Sequence, residues 1–194
     1  VFRCEGIKKD TVEFKMPVWM PGYYQILDYA DNVENFNAAT SSGGQLKWEK
    51  SSKNGWKVQT ARSASVILSY DVKATVSFVA NSYIDEDRGY IAPTGLFLHP
   101  SGFINHLVTV TIEPYAKWTT VATGLDTVKG KHNTFFAPDY DVLYDSPVLM
   151  GNLESFPFFT VKGILHYFVA YKPDSFDRKL FMNDLKKIIT VASN

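Results

Sequence analysis

Hydrophobic residues in this chain fall mostly into short runs in which apolar and polar positions alternate, the spacing typical of half-buried β-strands. The longest such run, 65–78, places Val66, Leu68 and Tyr70 on one face. We predict strands at positions 1–7, 11–16, 46–48, 56–60, 65–78, 95–99, 106–112, 117–122, 134–137, 142–144, 155–161 and 164–171. Short polar or Gly-containing turns, including Asn54-Gly55, lie between some of these strands. They predict three hairpins, which join 1–7 to 11–16, 46–48 to 56–60, and 155–161 to 164–171.

One segment near the end of the chain has helical spacing instead. Apolar residues recur at intervals of three and four between Leu180 and Ala192. Asp174 or Ser175 is a candidate N-cap, and Asp177 lies where an acidic side chain favours a helix N-terminus. The sequence therefore predicts one helix, which follows the strand-rich sequence.

Many short strands followed by a terminal helix indicate a mainly β fold. We predict an antiparallel β sandwich or saddle-like sheet domain over residues 1–172. Residues 173–194 are expected to begin a second, helical domain that is truncated. Because the sequence begins in strand-like and finishes in helix-like composition, we expect both ends to be cut from a longer protein.

A segment rich in Pro and Tyr, 16–37, separates two of the predicted strands. Pro17 and Pro21 each fix φ and favour extended geometry in the preceding residue, so this connection is expected to be stiff. Gly22 follows Pro21, the order that a type II turn requires, because Gly accepts a positive φ without steric cost. The segment is therefore predicted to be a shaped loop.

This loop is the best candidate for a recognition surface. The predicted turn presents Tyr23 and Tyr24 beside the acidic residues Asp28 and Asp31. Binding residues concentrate on loops that a rigid framework supports. The alternative is that Trp19 and one of the tyrosines simply cover the core, as most aromatic side chains do.

Composition narrows the function classes. The chain has 45% hydrophobic residues, enough for a substantial core, and 20 basic against 20 acidic side chains. This balance gives no field that favours nucleic acid, and the sequence has no apolar run near the roughly 18 residues of a membrane span. Cys4 is the only cysteine, so neither an intrachain disulfide nor a cysteine zinc cluster can form. The compartment stays open between cytoplasm and periplasm.

Local motifs for catalysis are missing from the sequence. The histidines lack the i, i+4 spacing of helical zinc ligands, and the acidic residues 85–87 lack the alternating ligands of a calcium loop, so we predict a solvated turn there. The sequence contains no G-x-S-x-G, P-loop or dinucleotide-binding motif. A Ser-His-Asp triad assembled from distant positions stays open, but nothing local favours one. We therefore assign no catalytic residue and no metal ligand to this chain.

Two Pro-anchored stretches resemble a known family. Residues 16–24, MPVWMPGYY, are similar to the signature P-x-W-x-P-G-S-Y-x-I-R. Trp118 with Ala122-Thr123, then 139–147, DYDVLYDSP, and Gly151 are similar to a second signature that contains D-x-L-x-D-S-P-x-x-x-G. Both signatures belong to the N-terminal domain of the glycyl aminopeptidase family of zinc metallopeptidases, in the thermolysin-like clan. The resemblance covers most of the chain.

The resemblance implies a non-catalytic β domain that packs on its own catalytic domain, missing here, and covers one side of a cleft for peptide substrates. In such enzymes the catalytic domain carries H-E-x-x-H and a downstream Glu. The zinc there activates water, with the motif Glu as general base. None of these groups lies in this chain, so zinc is expected only in the missing domain, and this chain is expected to hold no cofactor of its own.

The resemblance also implies candidate substrate-binding residues, Tyr24, Asp28 and Tyr23. Tyr24 matches the Tyr of the family signature and is the first candidate to line the cleft. Tyr23 stands where the family usually has Ser, and Leu27 where it usually has Arg. If that Ser or Arg contacts the substrate or the catalytic domain, this chain's parent differs in specificity.

An alternative function is a freestanding β-sandwich module that binds peptide or carbohydrate. Exposed aromatic faces can hold a sugar ring, and the candidates for such a platform are Trp19, Trp48, Trp56 and Trp118, together with the loop tyrosines. A purely structural interaction domain is a third possibility. An isolated binding platform should bind ligand without any partner domain, whereas an accessory domain should not.

Overall fold

The computed structural model of the protein describes residues 1–63 and 65–194. Its strands are β1 (Phe2–Glu5), β2 (Thr11–Lys15), β3 (Val33–Thr40), β4 (Trp48–Ser52), β5 (Gly55–Gln59), β6 (Ser65–Val72), β7 (Tyr83–Ile84), β8 (Arg88–Ile91), β9 (His99–Pro100), β10 (Val108–Thr111), β11 (Thr120–Thr123), β12 (Asp126–Thr127), β13 (Thr134–Ala137), β14 (Val148–Gly151), β15 (Glu154–Ser155), β16 (Phe159–Val161), β17 (Ile164–His166) and β18 (Val169–Ala170). The helices are α1 (Tyr140–Tyr144) and α2 (Arg178–Ala192), with 3₁₀ turns at Tyr29–Asn32 and Pro93–Gly95. The predicted mainly β fold is confirmed.

The first part of the chain forms a sandwich of two antiparallel sheets. One sheet has the order β1-β6-β3 and the other β4-β5-β2-β9. Alternate side chains of β2, Val12 and Phe14, meet Val66 and Leu68 of β6 in the space between the sheets, where all four are buried. The alternation in 65–78 therefore predicted the core face of β6.

The second part adds the sheets β11-β14-β8-β7 and β10-β13-β12, the latter covered by α1. Their cores join the first, because Phe2 packs against both the sandwich core and the cluster around α1. Phe97, Ile112 and Val121 in turn pack against both clusters of the second part. The apolar interior is thus continuous from β1 to β14.

Several predicted strands have different partners or bounds. The hairpin predicted between 1–7 and 11–16 is wrong, because β1 pairs with β6 while β2 pairs with β5 and β9. Gly6 between them adopts φ +72°, and the chain crosses there from one sheet to the other. The strand predicted at 65–78 ends at Val72, and 95–99 is mostly a 3₁₀ turn and loop. The hairpins β4–β5 and β16–β17 are confirmed.

The strand predicted at 142–144 is helix α1 in the structure. The Asp139 carboxylate accepts a hydrogen bond from the Val142 N–H at 2.8 Å and caps the first turn. Tyr140, Leu143 and Tyr144, at helical spacing, are all buried. A local cap and a shared buried face therefore select the helix over the strand.

The predicted terminal helix is confirmed as α2, although its N-cap is Asp177, not Asp174 or Ser175. An aromatic cluster packs at its start: Phe156, Phe168, Phe176 and Phe181, with neighbouring ring centroids 5.0 to 5.9 Å apart. The cluster joins residues on both sides of the predicted boundary at 172/173, and that boundary stays a prediction. Among the described residues, none of the helices has the length and apolar character needed to cross a membrane.

Candidate functional site

The segment between β2 and β3 contains a closed loop, residues 18–27, which we call the aromatic loop. Its base is held on the β4–β5 turn, since the Met16 N–H donates to the Asn54 carbonyl at 2.9 Å and the Asn54 side chain donates back to the Met16 carbonyl at 2.7 Å. The Leu27 N–H donates to the Val18 carbonyl at 2.8 Å and closes the loop. Gly22 has φ +82°, the positive value that the predicted turn requires.

Tyr29 anchors the end of the aromatic loop in the core. Its side chain is 3% exposed, and its hydroxyl donates to the Ala80 carbonyl at 2.7 Å. Burial raises the pKa of this phenol. Gly95 leaves room for the ring, because a Cβ on Gly95 would lie 2.8 Å from Cδ1 of Tyr29. The loop is therefore fixed to two distant segments.

The two candidate tyrosines face different surroundings. Tyr24 is 84% exposed, and its ring centroid lies 6.4 Å from that of Trp19, which is itself 43% exposed. Tyr23 is half-buried and packs edge-on against Phe78 at 5.1 Å. Phe78, which the sequence placed at the end of a strand, is thus part of the site, and no local signal linked it to the loop. Tyr24 is the free ring at the tip.

Asp28, the second candidate, is engaged by a lysine of the neighbouring hairpin. Lys53 Nζ lies 2.6 Å from Oδ2 of Asp28 and 3.7 Å from Oδ2 of Asp31. The hydrogen bond to Asp28 raises the pKa of Lys53. These groups are exposed, so the pair adds little to stability. Leu27, in the place of the family Arg, packs against the sandwich core instead of reaching solvent.

Two of the four tryptophans proposed for a binding platform are interior residues, so that part of the alternative is wrong. Trp56 is 2% exposed and Trp118 7%. Trp48 keeps 41% exposure but packs edge-on against Phe36 at 4.8 Å. Trp19 beside Tyr24 is therefore the tryptophan best placed to meet a ligand.

The acidic residues 85–87 form the exposed turn of the β7–β8 hairpin, so the predicted solvated turn is confirmed. Oδ1 of Asp85 accepts the N–H groups of Asp87 and Arg88, each at 2.8 Å, and these bonds lower the pKa of Asp85. The Asp87 carboxylate accepts hydrogen bonds from the Tyr171 hydroxyl at 2.6 Å and from the Lys172 ammonium at 3.0 Å. Oδ1 of Asp85 and Oδ2 of Asp87 thus already accept hydrogen bonds from other groups of the protein.

The histidines lie in separate places. His99 is half-buried, with Nδ1 2.9 Å from the Tyr144 hydroxyl, while His166 stacks on Phe159. Across residues 1–63 and 65–194, no three His, Cys, Asp or Glu side chains come together as a metal ligand set. The described residues therefore do not fit zinc.

His99 should make the stability of the fold depend on pH. Burial, with a smaller contribution from the Lys15 charge, lowers the pKa of His99, so the unfolded chain binds a proton more readily than the folded chain. We expect the free energy of unfolding to fall between about pH 7 and pH 5, as the unfolded chain takes up this proton before the folded chain does. Free energies of unfolding measured by urea titration at several pH values should have a smaller slope against pH for His99→Gln than for the wild type. Equal slopes for His99→Gln and the wild type would contradict this.

The chain is similar to proteins that are already known. The family model described as the Peptidase M61 N-terminal domain matches residues 2–152. A solved structure described as an aminopeptidase N family protein from Idiomarina loihiensis is similar, with a TM-score of 0.86 and 29% sequence identity over 97% of this chain. The chain spans 32% of the length of that protein. No curated protein sequence matches the chain.

Proposed function

We propose that this chain, which belongs to the Peptidase M61 N-terminal domain family, is the non-catalytic N-terminal domain of a zinc-dependent aminopeptidase of the glycyl aminopeptidase type. It packs on a catalytic domain and covers one side of the substrate cleft. The family match and the aminopeptidase relative support the N-terminal role. The peptide substrate and the zinc are parts of the proposal.

One observation supports the proposed role of this domain at the substrate cleft. Tyr24 is 84% exposed at the tip of a loop that is closed, held at its base and anchored through Tyr29. An exposed aromatic ring on a fixed loop loses little conformational entropy when it meets a ligand. Its phenol can also donate or accept one hydrogen bond. Tyr24 is therefore the residue of this domain that we assign to the substrate.

Zinc enters this proposal only through the partner domain. The described His, Cys, Asp and Glu residues do not converge on one point, so they supply no ligand set. Zinc bound in the catalytic domain would supply the activated water. The contribution of this chain is to position the aromatic loop, to present Tyr24 and to limit access to the cleft.

Tyr24→Phe in the full-length protein tests the assignment. Removal of one substrate hydrogen bond should lower kcat/KM about two- to twelvefold, since such a bond contributes about 0.5–1.5 kcal/mol. Tyr115→Phe is the matched control, because Tyr115 is 52% exposed in a different part of the chain, before β11. Tyr24→Ala should lower kcat/KM further, since the ring contact is also lost. Kinetics equal to those of the control would remove Tyr24 from the substrate site.

The exposed Trp19–Tyr24 pair also supports the second candidate, a freestanding binding module for peptide or carbohydrate. The two candidates differ in one measurement. Calorimetry with the isolated 194-residue chain should show no heat of binding to short peptides or oligosaccharides if the domain is an accessory unit. Saturable binding that Trp19→Ala abolishes would favour the module.

A further inference from the structure

The sheet β11-β14-β8-β7 carries an apolar row on its outer face. The strand register places Ala122, Leu149, Tyr90 and Tyr83 directly beside one another across the four strands. All four side chains are half-buried. Because side chains alternate along a strand, their neighbours on β8 and β14 point to the other face.

That other face is the interior one. Val148, Met150 and Ile91 are buried there, and a Cβ on Gly89 would lie 2.9 Å from the end of Met150. An antiparallel sheet with one buried face usually carries polar side chains on the other. An apolar outer row indicates that this second face is also covered.

The row continues into exposed apolar side chains at both ends. On one side, Phe78 and Val79 join Tyr90 and Leu149 around an open cavity of about 420 Å³. On the other side, the β16–β17 hairpin joins the same two residues around a cavity of about 440 Å³. The exposed members beyond the sheet are Phe78, Val79, Ile164, Leu165 and Tyr167. We call the row with these residues the apolar face.

The apolar face is connected to the aromatic loop. Tyr90 donates a hydrogen bond from its hydroxyl to the Val79 carbonyl at 3.0 Å, which holds the 78–79 segment on the sheet. Phe78 in turn contacts Tyr23 at 5.1 Å. One side of the molecule thus carries an apolar surface that extends from Tyr23 of the aromatic loop to the β16–β17 hairpin.

We infer that the catalytic domain docks on the apolar face, an inference that rests on the proposed function. Residues beyond the family match at 152 lie against this face: β16 and β17 border it, and α2 packs against β16. The segment before α2 is also held at the start of β8, where the Arg88 guanidinium lies 4.9 Å from the Tyr171 ring centroid. Most of the relative's chain lies outside its match to this chain, so it has ample polypeptide for such a domain.

Thiol labelling of the full-length protein tests this docking. In a background in which Cys4 and any other native cysteine of the full-length protein are replaced by Ser, single cysteines replace Val79 and Ile164 on the apolar face and Leu107 as the control. The three side chains have nearly equal exposure in this domain, 65%, 64% and 65%, and Leu107 lines neither cavity. We expect maleimide to label the Val79→Cys and Ile164→Cys proteins at least about tenfold more slowly than Leu107→Cys, with all three equal in urea.

Each outcome decides the inference. Labelling of all three cysteines at similar rates in the native protein would overturn it. Protection that disappears on dilution would show that a second copy covers the face, and would also overturn it. Peptidase activity of the same protein separates the two proposals. Protection without activity leaves the docking and removes the aminopeptidase function, while activity without protection removes the docking alone.

Discussion

Replacing Leu143 by Ala is expected to lower the free energy of unfolding by about 2–5 kcal/mol. Leu143 is fully buried in α1 and packs in the cluster that contains Phe135, Tyr140 and Tyr144. Truncation to Ala removes its apolar contacts and leaves a cavity that these rings can fill only in part. Equilibrium unfolding in urea measures the loss as a lower midpoint at unchanged slope.

Val142→Ala is the matched control in the same helix. Val142 is 40% exposed, so its truncation should change the free energy of unfolding by no more than about 0.5 kcal/mol. The pair also separates the helix from the strand that the sequence predicted at 142–144. In a strand, Val142 and Tyr144 would share one face and Leu143 the other. A large loss for Val142→Ala with a small one for Leu143→Ala would contradict α1.

The sequence could not show α1 because the helix is too short to have a period. Five residues are less than one and a half turns, so their apolar pattern fits a strand as well as a helix. Two of the longer segments, β6 and α2, were predictable, whereas β3, equal in length to β6, was missed because its first residues belong to the segment 16–37 that was predicted to be a loop. The alternation in β6 and the helical spacing of α2 each extend over enough residues to identify the element. The alternation also identified the buried face of β6, whereas in α2 the apolar residues Leu180 and Ile188 are exposed and Met182 is the buried side chain.

The pairing of the strands was harder to predict from the sequence than the strands themselves. The short connection between β1 and β2 favoured a hairpin, but both strands pair with partners that are distant in sequence. These pairings place Phe2 of β1 and Phe14 of β2 in the shared interior, where the rings pack edge-on with centroids 5.7 Å apart. Packing of this kind depends on the whole fold and leaves no local signal.

The same limit applies to the candidate site. The order Pro21-Gly22 was enough to predict a turn, and Gly22 has the expected positive φ. Which tyrosine stays exposed depends on Phe78, a residue far along the chain that covers Tyr23 and not Tyr24. The apolar face depends on register, because a shift of one residue in β8 would turn Tyr90 to the interior.

Replacing Gly95 by Ala is expected to lower the free energy of unfolding by about 1–3 kcal/mol, because it forces a methyl group against a ring that cannot move freely. The new Cβ would lie 2.8 Å from Cδ1 and 3.1 Å from Cε1 of Tyr29. That ring is buried and its hydroxyl is bound to the Ala80 carbonyl, so relief of the clash displaces the anchor of the aromatic loop.

Gly124→Ala is the control for this change, since a Cβ there meets nothing within 4 Å and its backbone needs no positive φ. Urea unfolding should show little change for Gly124→Ala. Combining Gly95→Ala with Tyr29→Ala separates the clash from other effects. The double variant should lose less stability than the sum of the two single variants, since removal of the ring makes room for the methyl group. Strict additivity would show that Gly95 is required for a reason unrelated to Tyr29. A loss confined to the clash would show that Gly95 is required to make room for the Tyr29 ring, whose hydroxyl anchors the end of the aromatic loop.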